Sequence, residues 1–113
     1  MEHYPAEPAH SLAAKLAALA HPARIAILQH LSSQGCCCCK DVVETLDLAQ
    51  STVSQHLKVL VSAGLVRYAP ERQRSLYVVD RDAAASLSRA VSTLLESCCL
   101  EPSACGAPGS DKN

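Results

Sequence analysis

Between Gln50 and Val61, the apolar side chains Val53, Leu57, Leu60 and Val61 recur at i, i+4, i+7 and i+8. On a helix that interval gives one apolar stripe. The positions between are Gln50, Ser51, Thr52, Ser54, Gln55, His56 and Lys58. They are polar and mostly short, and only Lys58 carries a fixed charge. An ordinary solvated helix face is richer in Glu, Lys and Arg. Gln, Ser and Thr both donate and accept hydrogen bonds, which is what the base edges of a DNA major groove require. The plainer reading of the same residues is a polar surface helix of unusual composition.

The flanks separate these readings. Lys40–Leu46 is a short amphipathic segment with Val42, Val43 and Leu46 on one side, and Asp47-Leu-Ala49 joins it to the polar helix. Helix, short turn and helix form the unit that lays a second helix in the groove. Gly64 follows as a helix stop. Leu65–Ala69 and Ser75–Val79 are β-prone runs around Pro70-Glu-Arg-Gln-Arg74, a hairpin with a basic tip. The expected fold class is therefore mainly α with a small β-hairpin, a winged helix-turn-helix. Lys58, Arg72 and Arg74 are its candidate phosphate contacts.

Charge distribution agrees. The chain carries a net charge of −1, which argues against indiscriminate binding to nucleic acid. Yet residues 50–81 hold five basic and two acidic side chains, a net +3, while the flanking segments are each at −2. Positive charge gathers on the proposed reading unit, as contacts to phosphate demand.

The chain's 113 residues predict one domain. With no Phe or Trp, its core must be built from Leu, Val, Ile and Ala. No segment approaches the roughly 18–20 apolar residues of a membrane span, and Met1–Pro5 lacks the features of a secretory signal. A cytoplasmic protein is expected, whose seven cysteines do not form a disulfide framework.

The expected order is an irregular, flexible arm over 1–10, a DNA-binding and dimerisation domain over 11–99, and a flexible cysteine-containing tail over 100–113. Within the domain, a helix from Ser11 to Ala20 carries Leu12, Leu16 and Leu19. A second, from Pro22 to about Ser32, turns Ile25, Leu28 and Leu31 inward. A last helix opens at Asp80 and runs to about Cys98, with Leu87, Val91, Leu94, Leu95 and Cys98 on one stripe. Two apolar terminal helices exceed what so small a domain needs. They predict a homodimer paired through those helices, suited to a palindromic operator with half-sites roughly 34 Å apart. The alternative is that both cap the monomer core.

Leu19-Ala-His-Pro-Ala-Arg-Ile-Ala-Ile-Leu28, Leu48–Leu60, Ala63-Gly-Leu-Val66 and Leu76-Tyr-Val78 together resemble the arsenical-resistance repressor (ArsR/SmtB) family of winged-helix metalloregulators. The resemblance spans residues 12 to 98. It implies repression by a dimer on double-stranded operator DNA and release when a soft metal or metalloid binds. Three features depart from the family. Ala49 stands where a serine often caps the reading helix, leaving Ser51 or Thr52 to cap a later start. The wing tip, Glu71-Arg-Gln-Arg74, lacks the usual glycine. The founding arsenic site falls on Cys38, Lys40 and Val43, so two of its three ligands are missing. No histidine lies beyond His56, which disfavours a zinc site on the last helix.

The cysteines offer two ligand sets. Cys98, Cys99 and Cys105 form the first. Trivalent arsenic and antimony bind thiolates, and three sulfurs make a pyramidal site. Neighbours on a helix point about 100° apart, but Pro102 disfavours helix at Glu101, so the helix should fray just after Cys99 and let Cys105 fold back. The resemblance adds that some relatives sense arsenite through cysteines near the chain end. Cys98 can instead be a core residue of the dimer helix. The rival set is the run Cys36, Cys37, Cys38 and Cys39, which can hold the metalloid, bind zinc through Cys36 and Cys39, form a redox pair, or be incidental. A mixed site joining the run to Cys98 and Cys99 of the partner subunit is also open.

The expected function is a metalloid-responsive repressor induced by trivalent arsenic or antimony, with a thiol-redox or persulfide-responsive repressor of the same fold as the alternative. No strand–CxxC–helix context or triad spacing suggests an enzyme, and no small organic substrate or membrane partner is expected.

Overall fold

The computed structural model describes residues 6–101. Five helices and three strands follow in the order α1 (Ala6–Leu19), α2 (Pro22–Gln34), β1 (Cys36–Cys38), α3 (Cys39–Leu46), α4 (Gln50–Ser62), β2 (Val66–Glu71), β3 (Arg74–Val79) and α5 (Arg81–Cys99). The strands form one antiparallel sheet in the order β1-β3-β2.

The core lies where α4 crosses α2 and α3 above the sheet. Val53, Leu57 and Leu60 are fully buried there with Ile27, Leu31, Val42, Leu65 and Val66. Each such side chain contributes about 1.5–3 kcal/mol when removed from water. No polar or charged side chain is buried among the described residues. Gly64 ends α4 with φ +83°. The Leu65 N–H donates to the Leu60 carbonyl at 3.1 Å and the Gly64 N–H to the Val61 carbonyl at 2.9 Å. These are the paired bonds of a Schellman stop, and the left-handed residue it needs is the expected glycine.

α1 begins at Ala6 rather than Ser11, so the expected irregular arm is helical from that residue. Pro8 stands in the first turn, where backbone N–H groups have no helical partner to lose. Ser11 is no cap; its Oγ accepts from Lys15 Nζ at 3.2 Å. The inward face of α2 also differs from its apolar spacing. Ile27 and Leu31 face the core, while Ile25 is 47% exposed. Two residues advance a helix by about 200°, so Ile25 and Ile27 cannot share a face.

The hairpin is present, with an added strand. Cys36, Cys37 and Cys38 pair with Val78, Tyr77 and Leu76 of β3. Gly35, at φ +90°, turns the chain from α2 into this strand. The β2–β3 register closes at Glu71↔Arg74, leaving Arg72 and Gln73 as a two-residue loop. Arg72 takes φ +55° there. A non-glycine residue in that region is strained by roughly 1–2 kcal/mol. The missing glycine thus leaves the hairpin intact and strains its tip. Above the loop, Tyr68 and Tyr77 pack across the strands with their rings tilted by 52° and centroids 5.5 Å apart, and Tyr68 Oη lies 3.1 Å from Ser75 Oγ.

α4 starts at Gln50 with Ala49 at the cap position, and no side chain accepts from its first amides. The later start at Ser51 or Thr52 does not occur. Ala49→Ser supplies the missing acceptor and is expected to raise unfolding stability by about 1 kcal/mol in thermal or denaturant melts. An unchanged midpoint would mean these amides are already satisfied.

Candidate nucleic-acid interface

The packing of α4 decides what it shows to solvent. With Val53, Leu57 and Leu60 inward, Ser51, Ser54, Gln55 and Lys58 project from the opposite side, and Gln50 and Thr52 lie on its flanks. All six are exposed. The face is uncharged but for Lys58, and the unfilled N-terminal amides at its leading end favour an anion. Arg72 and Arg74 are exposed at the wing tip. Arg67, at the base of β2, is exposed as well and extends the basic strip beyond the residues singled out from sequence.

His56 departs from this pattern. At 100° per residue it stands about 60° from Val53, nearer the buried stripe than the outer face. It is half-buried, and its Nδ1 accepts from Arg24 Nε at 3.2 Å. Its ring lies 4.5 Å from that of His21. Burial, then His21, then Arg24, hold the His56 imidazole below its ordinary pKa. It is therefore neutral at neutral pH and turned toward α2 rather than presented with the other polar residues.

The element holding it was not visible in the sequence pattern. Arg24 also donates Nη1 to the carbonyls of Ala17 at 3.4 Å and Ala18 at 3.3 Å, in the last turn of α1. His21 caps α2, its Nδ1 accepting from the Ala23 N–H at 3.0 Å. The His21-Pro22 punctuation marked a helix start; nothing in the spacing announced a contact across 32 residues.

The four-cysteine run is divided by strand alternation. Cys36 is exposed, Cys37 is buried, and Cys38 and Cys39 are half-buried. Burial, followed by Asp41, Cys36 and Cys38, raises the Cys37 pKa; burial, then Cys38, raises that of Cys39. Both shifts disfavour the thiolate that ligates a soft ion. Asp41 fixes the strand-to-helix junction, its Oδ2 accepting from the Cys38 N–H at 3.2 Å. That bond, with a further one from the Cys38 side chain, holds the Asp41 carboxyl below its usual pKa.

At the other end of the chain, Cys98 and Cys99 are exposed free thiols in the final turn of α5. Leu100 is extended, at φ −83° and ψ 141°, so the helix stops where Pro102 predicts. Cys105 lies outside the described residues. Among the described residues, no three His, Cys, Asp or Glu side chains converge closely enough to hold a metal ion.

Residues 19–69 match a helix-turn-helix domain family. Over 77 residues the chain is 30% identical to an uncharacterised HTH-type transcriptional regulator of Methanocaldococcus jannaschii, covering 68% of this chain and 86% of that protein. A homodimeric winged helix-turn-helix DNA-binding domain from Mycobacterium bovis, described as a possible ArsR-family transcriptional regulator, superposes with a TM-score of 0.69. It is 26% identical, with 85% of this chain and 88% of that one covered. An ArsR-like transcriptional regulator from Rhodococcus sp. RHA1 shares the fold at a TM-score of 0.72 and 20% identity, covering 80% of this chain and 84% of that one.

The exposure pattern predicts thiol reactivity. In the folded, reduced protein Cys36, Cys98 and Cys99 should alkylate readily, and Cys37 only after denaturation, as peptide mass mapping would show. Native labelling of Cys37 at the rate of Cys36 would contradict the strand assignment.

Proposed function

The chain is a transcriptional regulator of the ArsR/SmtB type, with a winged helix-turn-helix fold, and we propose that it is a metalloid-responsive repressor that binds operator DNA as a homodimer in the cytoplasm. The observation that carries the DNA-binding part is the outer face of α4. Its hydrogen-bonding side chains are exposed, while its apolar stripe is wholly buried. In this reading Gln50, Ser51, Thr52, Ser54 and Gln55 meet base edges and nearby phosphates, and Lys58, Arg72 and Arg74 meet phosphates. His56, held by Arg24, acts chiefly by fixing the helix.

Exposed leucines on the terminal helices support pairing. Leu16 of α1 is 40% exposed, Leu94 and Leu95 of α5 are 47% and 54% exposed, and Leu100 just beyond is 74% exposed. Among the described residues no helix is long and apolar enough by itself to cross a membrane. A second subunit is the cover proposed for this surface, as the homodimeric Mycobacterium bovis domain of the same fold suggests. The resulting dimer would present two copies of α4 to successive major grooves, about 34 Å apart.

For the inducer, the donor chemistry favours Cys98, Cys99 and Cys105. The first two are exposed, free and at a helix end. Trivalent arsenic or antimony bound there would supply a pyramidal thiolate cross-link and release thiol protons. The chain's own contribution is to hold two thiols where helix gives way to extended backbone. Gathering a third, Cys105, would tie the site to the end of the dimer helices. The inward turn of Cys37 and Cys39 weakens the case for the rival run.

Light scattering should give twice the monomer mass. In the reduced protein, arsenite or antimonite should lower operator affinity about 30- to 150-fold, a coupling of roughly 2–3 kcal/mol. Cys98→Ser, Cys99→Ser and Cys105→Ser should each abolish that response, while Cys36→Ser should retain it. An unchanged affinity with arsenite under full reduction, but loss on oxidation, would replace this reading with the redox one.

A further inference from the structure

Arg24 joins three elements at one point. It is bonded to the closing carbonyls of α1, belongs to α2, and donates to His56 of α4. The two imidazoles beside it have their Nδ1 atoms engaged as acceptors, His21 from the Ala23 amide and His56 from Arg24. An imidazole that accepts at Nδ1 is neutral, with its proton on Nε2. Protonating His56 turns its acceptor into a donor aimed at another donor. Charging the His56 ring also places a positive charge 4.5 Å from the His21 imidazole and beside the Arg24 guanidinium.

We propose that His21, Arg24 and His56 form a positioning relay that locks α4 to the α1–α2 junction only while the His56 imidazole is neutral, so that acidification loosens α4 and weakens operator binding. The proposal rests on the reading of α4 as the DNA-contacting helix. Among the described residues, the titratable or charged groups that face His56 are His21, at the cap of α2, and Arg24, within its first turn. From α1, Arg24 receives backbone carbonyls, those of Ala17 and Ala18. α3 and β2 place no such group against the ring.

His56 has its folded pKa below the unfolded value. Its contribution is complete above the ordinary imidazole pKa, near 6.5, and is lost as pH falls through the depressed folded value. Simple electrostatics predicts the opposite for DNA, because added positive charge near a polyanion tightens binding. The direction of the pH profile therefore separates the relay from a mere charge effect.

The experiment is fluorescence anisotropy with a labelled duplex from immediately upstream of the protein's own gene, at fixed ionic strength, from about pH 7.5 to about pH 5.5, spanning the imidazole range. The relay requires affinity to fall as the pH drops below the ordinary imidazole value of about 6.5. The loss should occur with far-UV circular dichroism unchanged and track the NMR titration of the His56 ring. Arg24→Met should bind more weakly at the upper pH and show a flat or inverted profile. Affinity that holds or rises on acidification of the unsubstituted protein, a loss that follows unfolding, or an Arg24→Met profile parallel to the original would each overturn the relay. Absence of binding to this duplex at every pH would overturn the reading of α4 along with it.

Discussion

Burial of three side chains on one helix determines what the rest of the molecule can do. Val53, Leu57 and Leu60 are sealed against Ile27, Leu31, Val42 and Leu65, with no exposure beyond 1% at any of them. Losing one would cost about 2–5 kcal/mol, a large share of a small domain's stability. That packing fixes the rotation of α4 about its axis. Ser51, Ser54, Gln55 and Lys58 face outward because their opposite side has no other place to go. The apolar stripe and the polar face are two consequences of one periodicity.

The surface so presented is not optimised for stability. Ala49 leaves the first amides of α4 uncapped, and Arg72 occupies a left-handed conformation at the tip of the wing. Both defects fall where the protein would meet phosphate. Open amides and an arginine held at a hairpin apex are useful to an anion and mildly costly to the free protein. Arg24 acts the other way, tying α4 to two helices through its side chain alone.

Much of this was legible in the sequence. Strong helical periodicity located α4 and α5, Gly64 marked a true stop, and Pro102 marked the end of α5. The misreadings have physical sources. The Ile25-Leu28-Leu31 spacing fits a helix as well as Ile27-Leu31 does, and only the neighbours of α2 decide between them. Cys36–Cys38 carries no alternation of residue type, so its strand is imposed by pairing to β3 and by the turn at Gly35. His56 belonged by composition to the polar face, yet its angle already placed it beside Val53. Its bond to Arg24 is a tertiary contact that no local pattern encodes.

The central claim is that uncharged side chains on α4 read bases while the wing and Lys58 hold phosphates. Comparing Gln55→Ala with Arg74→Ala on operator and random duplex, across a salt series, tests it most directly. The account predicts that Gln55→Ala weakens operator binding by about 1–3 kcal/mol per subunit, spares random duplex, and leaves the salt slope unchanged, while Arg74→Ala weakens both duplexes and lowers the slope by about 1 per subunit. Equal losses on both duplexes for Gln55→Ala, with a reduced slope, would contradict it.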